Sequence, residues 1–129
     1  MIIVNFAHPL RDDQVARIGQ LCEADVSRVV GVSTQFDHAR GYAEQVAELV
    51  AKAGLSPDEW QMERLVIVPP SLAVIACLVV AEIHGRAGYF VPIVRLSPRP
   101  NTVPPVFDVV EILDVAGQRE AARSRRVAE

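Results

Sequence analysis

Apolar residues gather into short uninterrupted blocks along this chain, and the longest patterned region runs from Leu65 to Leu96. Leu65 to Val68 is an apolar run suited to a buried strand, and Pro69-Pro70-Ser71 breaks it. The almost uniformly apolar stretch from Leu72 to Ile83 predicts a helix, His84-Gly85-Arg86-Ala87-Gly88 predicts a turn, and a second apolar strand ends at Arg95. Polar residues stand almost only at the joints. A strand-helix-strand unit of this kind favours parallel strands joined by a right-handed crossover. The helix is apolar on every face. One face covers a sheet, and the opposite face calls for a second cover, which a second copy of the chain would supply.

The remaining pattern extends the same plan. Ile2 to Phe6 predicts a short strand, its β-branched residues showing no polar alternation, as suits a central parallel strand, and Asn5-Phe6-Ala7-His8-Pro9-Leu10 turns the chain at its carboxyl end. Arg11 to Ala24 predicts an amphipathic surface helix with Asp12 and Asp13 in its first turn, where carboxylates complement the helix dipole. Val26 to Ser33 predicts a second strand. Asp37 is the expected N-cap of a helix carrying Val46, Ala47, Leu49 and Val50 and stopped by Gly54. Ser56-Pro57-Asp58-Glu59 reads as a capping box opening a brief helical turn, with Trp60 sealing it against the body. After Arg95, prolines 98, 100, 104 and 105 predict a surface loop, and Val106 to Val115 a last strand at an edge, where an antiparallel orientation is allowed. The predicted order is β-α-β-α-β-α-β-β, an α/β three-layer sandwich of Rossmann type with a mostly parallel sheet.

Composition narrows the function classes. The chain has 129 residues, half of them apolar, with a formal net charge of −3. That is the size of one domain, taken as residues 1–115, with an Arg- and Ala-rich tail over 116–129 that is weakly helical or disordered. The balance of charge speaks against a duplex nucleic-acid binder. Cys22 and Cys77 fall in apolar helical positions and are expected to be reduced core residues. Met1-Ile2-Ile3-Val4 enters a strand directly, without a basic leader, so a cytoplasmic protein is expected. The uncharged segment from Leu65 to Ala81 is interrupted by Pro69-Pro70. Its helical remainder covers roughly 18 Å against a hydrocarbon core of about 30 Å, so no membrane span is expected.

In open α/β sheets ligands bind outside the carboxyl ends of the parallel strands, where strand order reverses. That rule selects Asn5, Phe6, His8 and Pro9 from the first strand, Thr34 and Gln35 from the second, Pro69, Pro70 and Ser71 from the third, and Arg95 and Ser97 from the fourth. No glycine-rich dinucleotide fingerprint and no P-loop occurs, so no cofactor is expected. The set is neutral and hydrogen-bonding with one guanidinium. Ser71 opens a helix whose free amides favour an anion such as phosphate, and Asn5 and Gln35 carry the donors and acceptors that base edges and ribose hydroxyls need. The same residues also have structural readings: Asn5 tying down a loop, Ser71 capping, Arg95 pairing with a carboxylate. His84 and Arg86 fall at the far end of the crossover helix and are expected to cap its carbonyls. There is no H-x-x-x-H and no G-x-S-x-G elbow, so neither a metal site nor a catalytic set is expected.

Four blocks together resemble a known family: Met1 to Leu10, Leu55-Ser56-Pro57-Asp58-Glu59-Trp60-Gln61, Pro69-Pro70-Ser71, and Ile83-His84-Gly85-Arg86-Ala87-Gly88-Tyr89-Phe90-Val91-Pro92-Ile93-Val94-Arg95-Leu96. They are similar to a small CRISPR-associated ancillary family, the fifteenth of the Csx series, and the resemblance spans the chain to about Asp114. That family accompanies type III CRISPR systems, whose effector makes cyclic oligoadenylates as second messengers. The resemblance implies a CARF-like dimer binding cyclic tetra-adenylate at the strand carboxyl ends across a two-fold axis. By analogy Asn5, Phe6, His8, Pro9, Gln35, Pro70, Ser71 and Arg95 would line the site. The lack of a fused effector domain implies a protein that buffers or removes the messenger.

Three functions are therefore weighed. The first is a non-catalytic homodimer, joined through the 72–83 helix, that binds cyclic tetra-adenylate. The second is a metal-independent ring nuclease, with His8 or Ser71 promoting attack of a ribose 2′-hydroxyl on the adjacent phosphate. The third is a ligand-free structural adaptor using the apolar helix, for which Val79→Asp is expected to disrupt assembly.

Overall fold

Ile2 to Asn5 (β1) and Leu65 to Val68 (β3) are buried along their whole lengths and lie parallel to one another inside the sheet. The apolar runs Ile2-Ile3-Val4 and Leu65-Val66-Ile67-Val68 dictate this, because a strand without polar alternation must be covered on both faces. The computed structural model describes residues 1–127. Around the central pair it sets β2 (Arg28–Gly31), β4 (Ile93–Pro98) and β5 (Phe107–Leu113), with helices α1 (Asp12–Cys22), α2 (Tyr42–Ala51), α3 (Pro57–Met62), α4 (Ala73–Ala87) and α5 (Val115–Val127). The spatial order is β2-β1-β3-β4-β5; the first four strands are parallel, and β5 is antiparallel to β4. Strand order reverses between β1 and β3, as in doubly wound sheets with this order.

Helices cover both faces, which makes three layers. On one face Val46, Leu49 and Val50 of α2, Trp60 of α3 and Ile75, Val79 and Ile83 of α4 pack against Ile2, Val4, Leu65 and Ile67. On the other, Ile18 of α1 with Val15, Leu21 and Cys22 packs against Ile3, Val66 and Val68, joined by Val94 of β4 and Val109 of β5. Alternate residues of one strand thus feed two separate cores. Gln14, buried in α1, donates through Nε2 to the Phe107 carbonyl at 2.8 Å and ties α1 to the edge strand.

Several local expectations are corrected. The crossover helix continues past Ile83, so that His84, Gly85 and Arg86 form its last turn rather than a loop. One glycine costs a helix about 1 kcal/mol. Burial of Ile83 and Ala87, together with the Glu82–Arg86 pair at 2.8 Å in its favourable i,i+4 order, outweighs that cost. Gly88 then stops the helix at φ +88°, donating its N–H to the His84 carbonyl. At the other end Leu72, not Ser71, occupies the N-cap position, and no side chain caps the helix there.

The helix after β2 begins at Tyr42, five positions beyond the Asp37 expected to cap it. Asp37 instead accepts from the Ala39 N–H through Oδ1, a local turn that competes with helix initiation. The capping box does form: Ser56 Oγ accepts from the Glu59 N–H, and Glu59 Oε1 from the Ser56 N–H, while Trp60 is buried in the core. Cys77 departs from expectation, being exposed on α4, because a helix apolar all round can turn only one stripe toward its own sheet. The tail is helical over Val115–Val127, and residues 128 and 129 lie outside the described residues.

Candidate functional site

The reversal point fixes the carboxyl edge of the sheet as the place to look. Asn5 pairs in register with Gly31 of β2 and Val68 of β3, so all three strands end at one level. The segments that leave this edge are Phe6 to Leu10 from β1, Val32 to Gly41 from β2 and Pro69 to Leu72 from β3. Ile67 pairs with Ile93, which puts Arg95, two residues further on, level with Pro69. The register therefore brings the sequence-selected residues to one edge. Threonine 34 stitches the edge together, its Oγ1 donating to the Phe6 carbonyl at 2.7 Å.

Within that edge the residues divide by exposure. Asn5, Phe6 and Pro70 are buried in the single subunit, whereas His8, Pro9, Gln35, Ser71 and Arg95 are exposed. Asn5, 3 % exposed, has both ends of its amide engaged: Nδ2 donates to the His8 carbonyl at 2.9 Å and Oδ1 accepts from the Ala7 N–H at 3.0 Å. It shapes the loop that presents His8 and Pro9. Phe6 is a core residue beneath that loop. Arg95 is held by Glu111 across the β4–β5 pair, Nη2 to Oε2 2.6 Å. A β-bulge between Arg95 and Leu96 interrupts the ladder at this point.

Pattern reading missed three residues in or beside the loop after β2, Phe36, His38 and Tyr42, the last of them opening α2. Phe36 and Tyr42 pack edge to face, ring centres 5.5 Å apart, with both rings against the main core. The exposed His38 stands on Tyr42, its Nδ1 2.6 Å from the hydroxyl. Buried Gln45 locks this loop: Oε1 accepts from the Asp37 N–H at 2.8 Å, and Nε2 donates to the Asp37 carbonyl at 3.0 Å and the Gly41 carbonyl at 2.9 Å. The signal in the sequence was the group Phe36, His38, Arg40 and Tyr42 just beyond a strand end, in a stretch whose apolar residues follow no helical pattern.

The shifts at Cys22, Tyr89 and Glu59 lie at the opposite edge of the sheet, whereas those at Asp13 and Asp108 lie beside the carboxyl ends of β1 and β4. Burial pushes the Cys22 thiol up, partly countered by Arg64, and burial likewise raises the Tyr89 hydroxyl. Glu59 is held below the usual carboxylate range by the Ser56 backbone N–H and by Arg28. Hydrogen bonds from Arg11 to Asp13 and from Arg99 to Asp108 lower those two carboxyls in the same way. A surface hollow of about 500 Å³, lined by Gly19, Gln20, Glu23 and Asp25, opens at the amino end of β2, on the opposite edge from the reversal point. Among the described residues no group of three His, Cys, Asp or Glu side chains could hold a metal ion, and no helix is long and apolar enough to cross a membrane.

Fold and site together define a Rossmann-like α/β protein whose carboxyl edge carries neutral hydrogen-bonding groups, an imidazole and guanidinium groups. Comparison with protein-family models, curated proteins and solved structures finds no match to this chain.

Proposed function

We propose that this protein binds a cyclic oligoadenylate, with cyclic tetra-adenylate as the preferred ring, at the carboxyl edge of its sheet and across a two-fold axis between two copies. On this reading it is a CARF-like sponge that withholds the messenger from other receptors and damps type III CRISPR signalling in the cytoplasm. One observation carries the reading. The reversal point adjoins α4, whose outer face, Val74, Cys77, Leu78 and Ala81, is exposed and wholly apolar. Because α4 starts just beyond the carboxyl end of β3, a two-fold contact along that face would cover it and set two ligand edges side by side. A ring with four phosphates has the matching symmetry. Each copy would offer the free amides of the uncapped α4 N-terminus, Ser71 and Arg95 to the phosphates, and Gln35 and His8 to ribose and base.

The test is incubation of the protein with labelled cyclic tri-, tetra- and hexa-adenylate, following binding and product formation in one assay. The expected result is saturable binding of the tetra-adenylate at micromolar protein or below, with the ring intact after long incubation. Absence of binding at that concentration overturns the reading, and multiple-turnover cleavage without metal replaces it by the ring nuclease.

A further inference from the structure

The Phe36, Tyr42 and His38 rings form a ladder from the core to solvent, with His38 outermost and exposed. Two features set this loop apart from an ordinary surface connection. Gln45, only 8 % exposed, spends its whole amide on holding residues 37–41, although those residues contribute nothing to the core. The Tyr42 hydroxyl bonds the His38 ring and so orients a side chain that would otherwise sample several rotamers. Ordering a ring in advance removes an entropy cost that binding would otherwise carry. Arg40 lies on the same loop with a half-exposed side chain, meeting Glu44 only at 4.0 Å, so its guanidinium keeps most of its donors. The bond from Thr34 to the Phe6 carbonyl brings the loop out beside the end of β1.

We propose that His38 is the stacking platform for an adenine base of the bound messenger and that Arg40 takes an adjoining phosphate, with Tyr42 positioning the His38 ring. The inference rests on the binding reading above and adds to it the element that reads the base. An imidazole presents a flat face to a purine, and a guanidinium beside it suits the phosphate that follows each nucleoside.

The experiment titrates cyclic tetra-adenylate into the wild type and into His38→Ala, His38→Trp, Tyr42→Phe and Arg40→Gln. His38→Ala is expected to raise Kd about tenfold, and His38→Trp, which restores a stacking face, to return it to within about threefold of the wild type. Tyr42→Phe keeps the ring packing but frees His38, so it is expected to weaken binding without lowering the thermal midpoint. Arg40→Gln is expected to weaken binding and reduce the slope of log Kd against log salt by about 0.7, the loss of one phosphate contact on a single strand. A wild type that binds alongside a His38→Ala variant of equal affinity overturns the platform and leaves the binding reading standing. A wild type that does not bind removes both.

Discussion

Arg95 and Glu111 face each other across the β4–β5 pair, the guanidinium engaging one carboxylate oxygen through Nη2 at 2.6 Å and Nε at 2.8 Å. Both side chains are about half exposed, 51 % and 45 %, so the pair adds at most about 1 kcal/mol to stability. An incoming phosphate can therefore displace the carboxylate. Glu111→Gln is expected to tighten cyclic tetra-adenylate several-fold by freeing Arg95, and Arg95→Ala to weaken it about tenfold or more. Titration of the two variants beside the wild type decides it; three equal affinities would take Arg95 out of the site.

Asn5 holds the β1 loop from inside. Replacing it with Ala leaves the Ala7 N–H and the His8 carbonyl without their partner, at an expected cost of about 1–3 kcal/mol. Denaturant unfolding should show a lower midpoint for Asn5→Ala. An unchanged midpoint would mean that water replaces the amide at no cost.

The outer face of α4 carries the dimer proposal. Val79 is fully buried in its own subunit, so Val79→Asp would unfold the chain rather than report on assembly. Leu78 is the informative position, 36 % exposed on the outward face. Leu78→Asp is expected to halve the mass seen by analytical ultracentrifugation while retaining the wild-type circular dichroism spectrum, and to speed labelling of the exposed Cys77. A wild type that sediments as a monomer at high concentration would remove the two-fold arrangement.

Glu59 links stability to pH. Its folded pKa lies below the ordinary value of 4.5 because the Ser56 backbone N–H and Arg28 favour the carboxylate. A depressed pKa contributes stability that is present above about pH 4.5 and is lost as pH falls through the folded value. The stability difference between wild type and Glu59→Gln should therefore be constant near neutrality and shrink toward zero in acid. Thermal midpoints between pH 3 and 7 measure it; a difference that grows in acid would reverse the assignment.

The central elements were legible because their signals are local. Apolar runs rich in β-branched residues at Ile2 to Val4 and Leu65 to Val68, a Ser-Pro-Asp-Glu box and a long apolar helix each carry their structure in neighbouring residues. Gly85 has the form of a stop signal, yet α4 runs on to Ala87. Whether a glycine ends a helix depends on what its neighbours bury, here Ile83 and Ala87. Asp37 has cap chemistry, but the Gln45 amide, eight residues away, decides that the chain stays in a loop.

The amino-acid sequence by itself determined where most strands and helices fall and that the sheet is mostly parallel, since periodicity and the crossover rule act within a few tens of residues. Tertiary structure alone decided which polar groups remain free to act. Asn5 and Gln45 turn inward to hold loops, Arg95 finds Glu111 across a strand pair, and His38 comes to rest on Tyr42 at the carboxyl edge of the sheet. Side-chain type states what a residue can donate or accept, and only packing states which partner has already taken it.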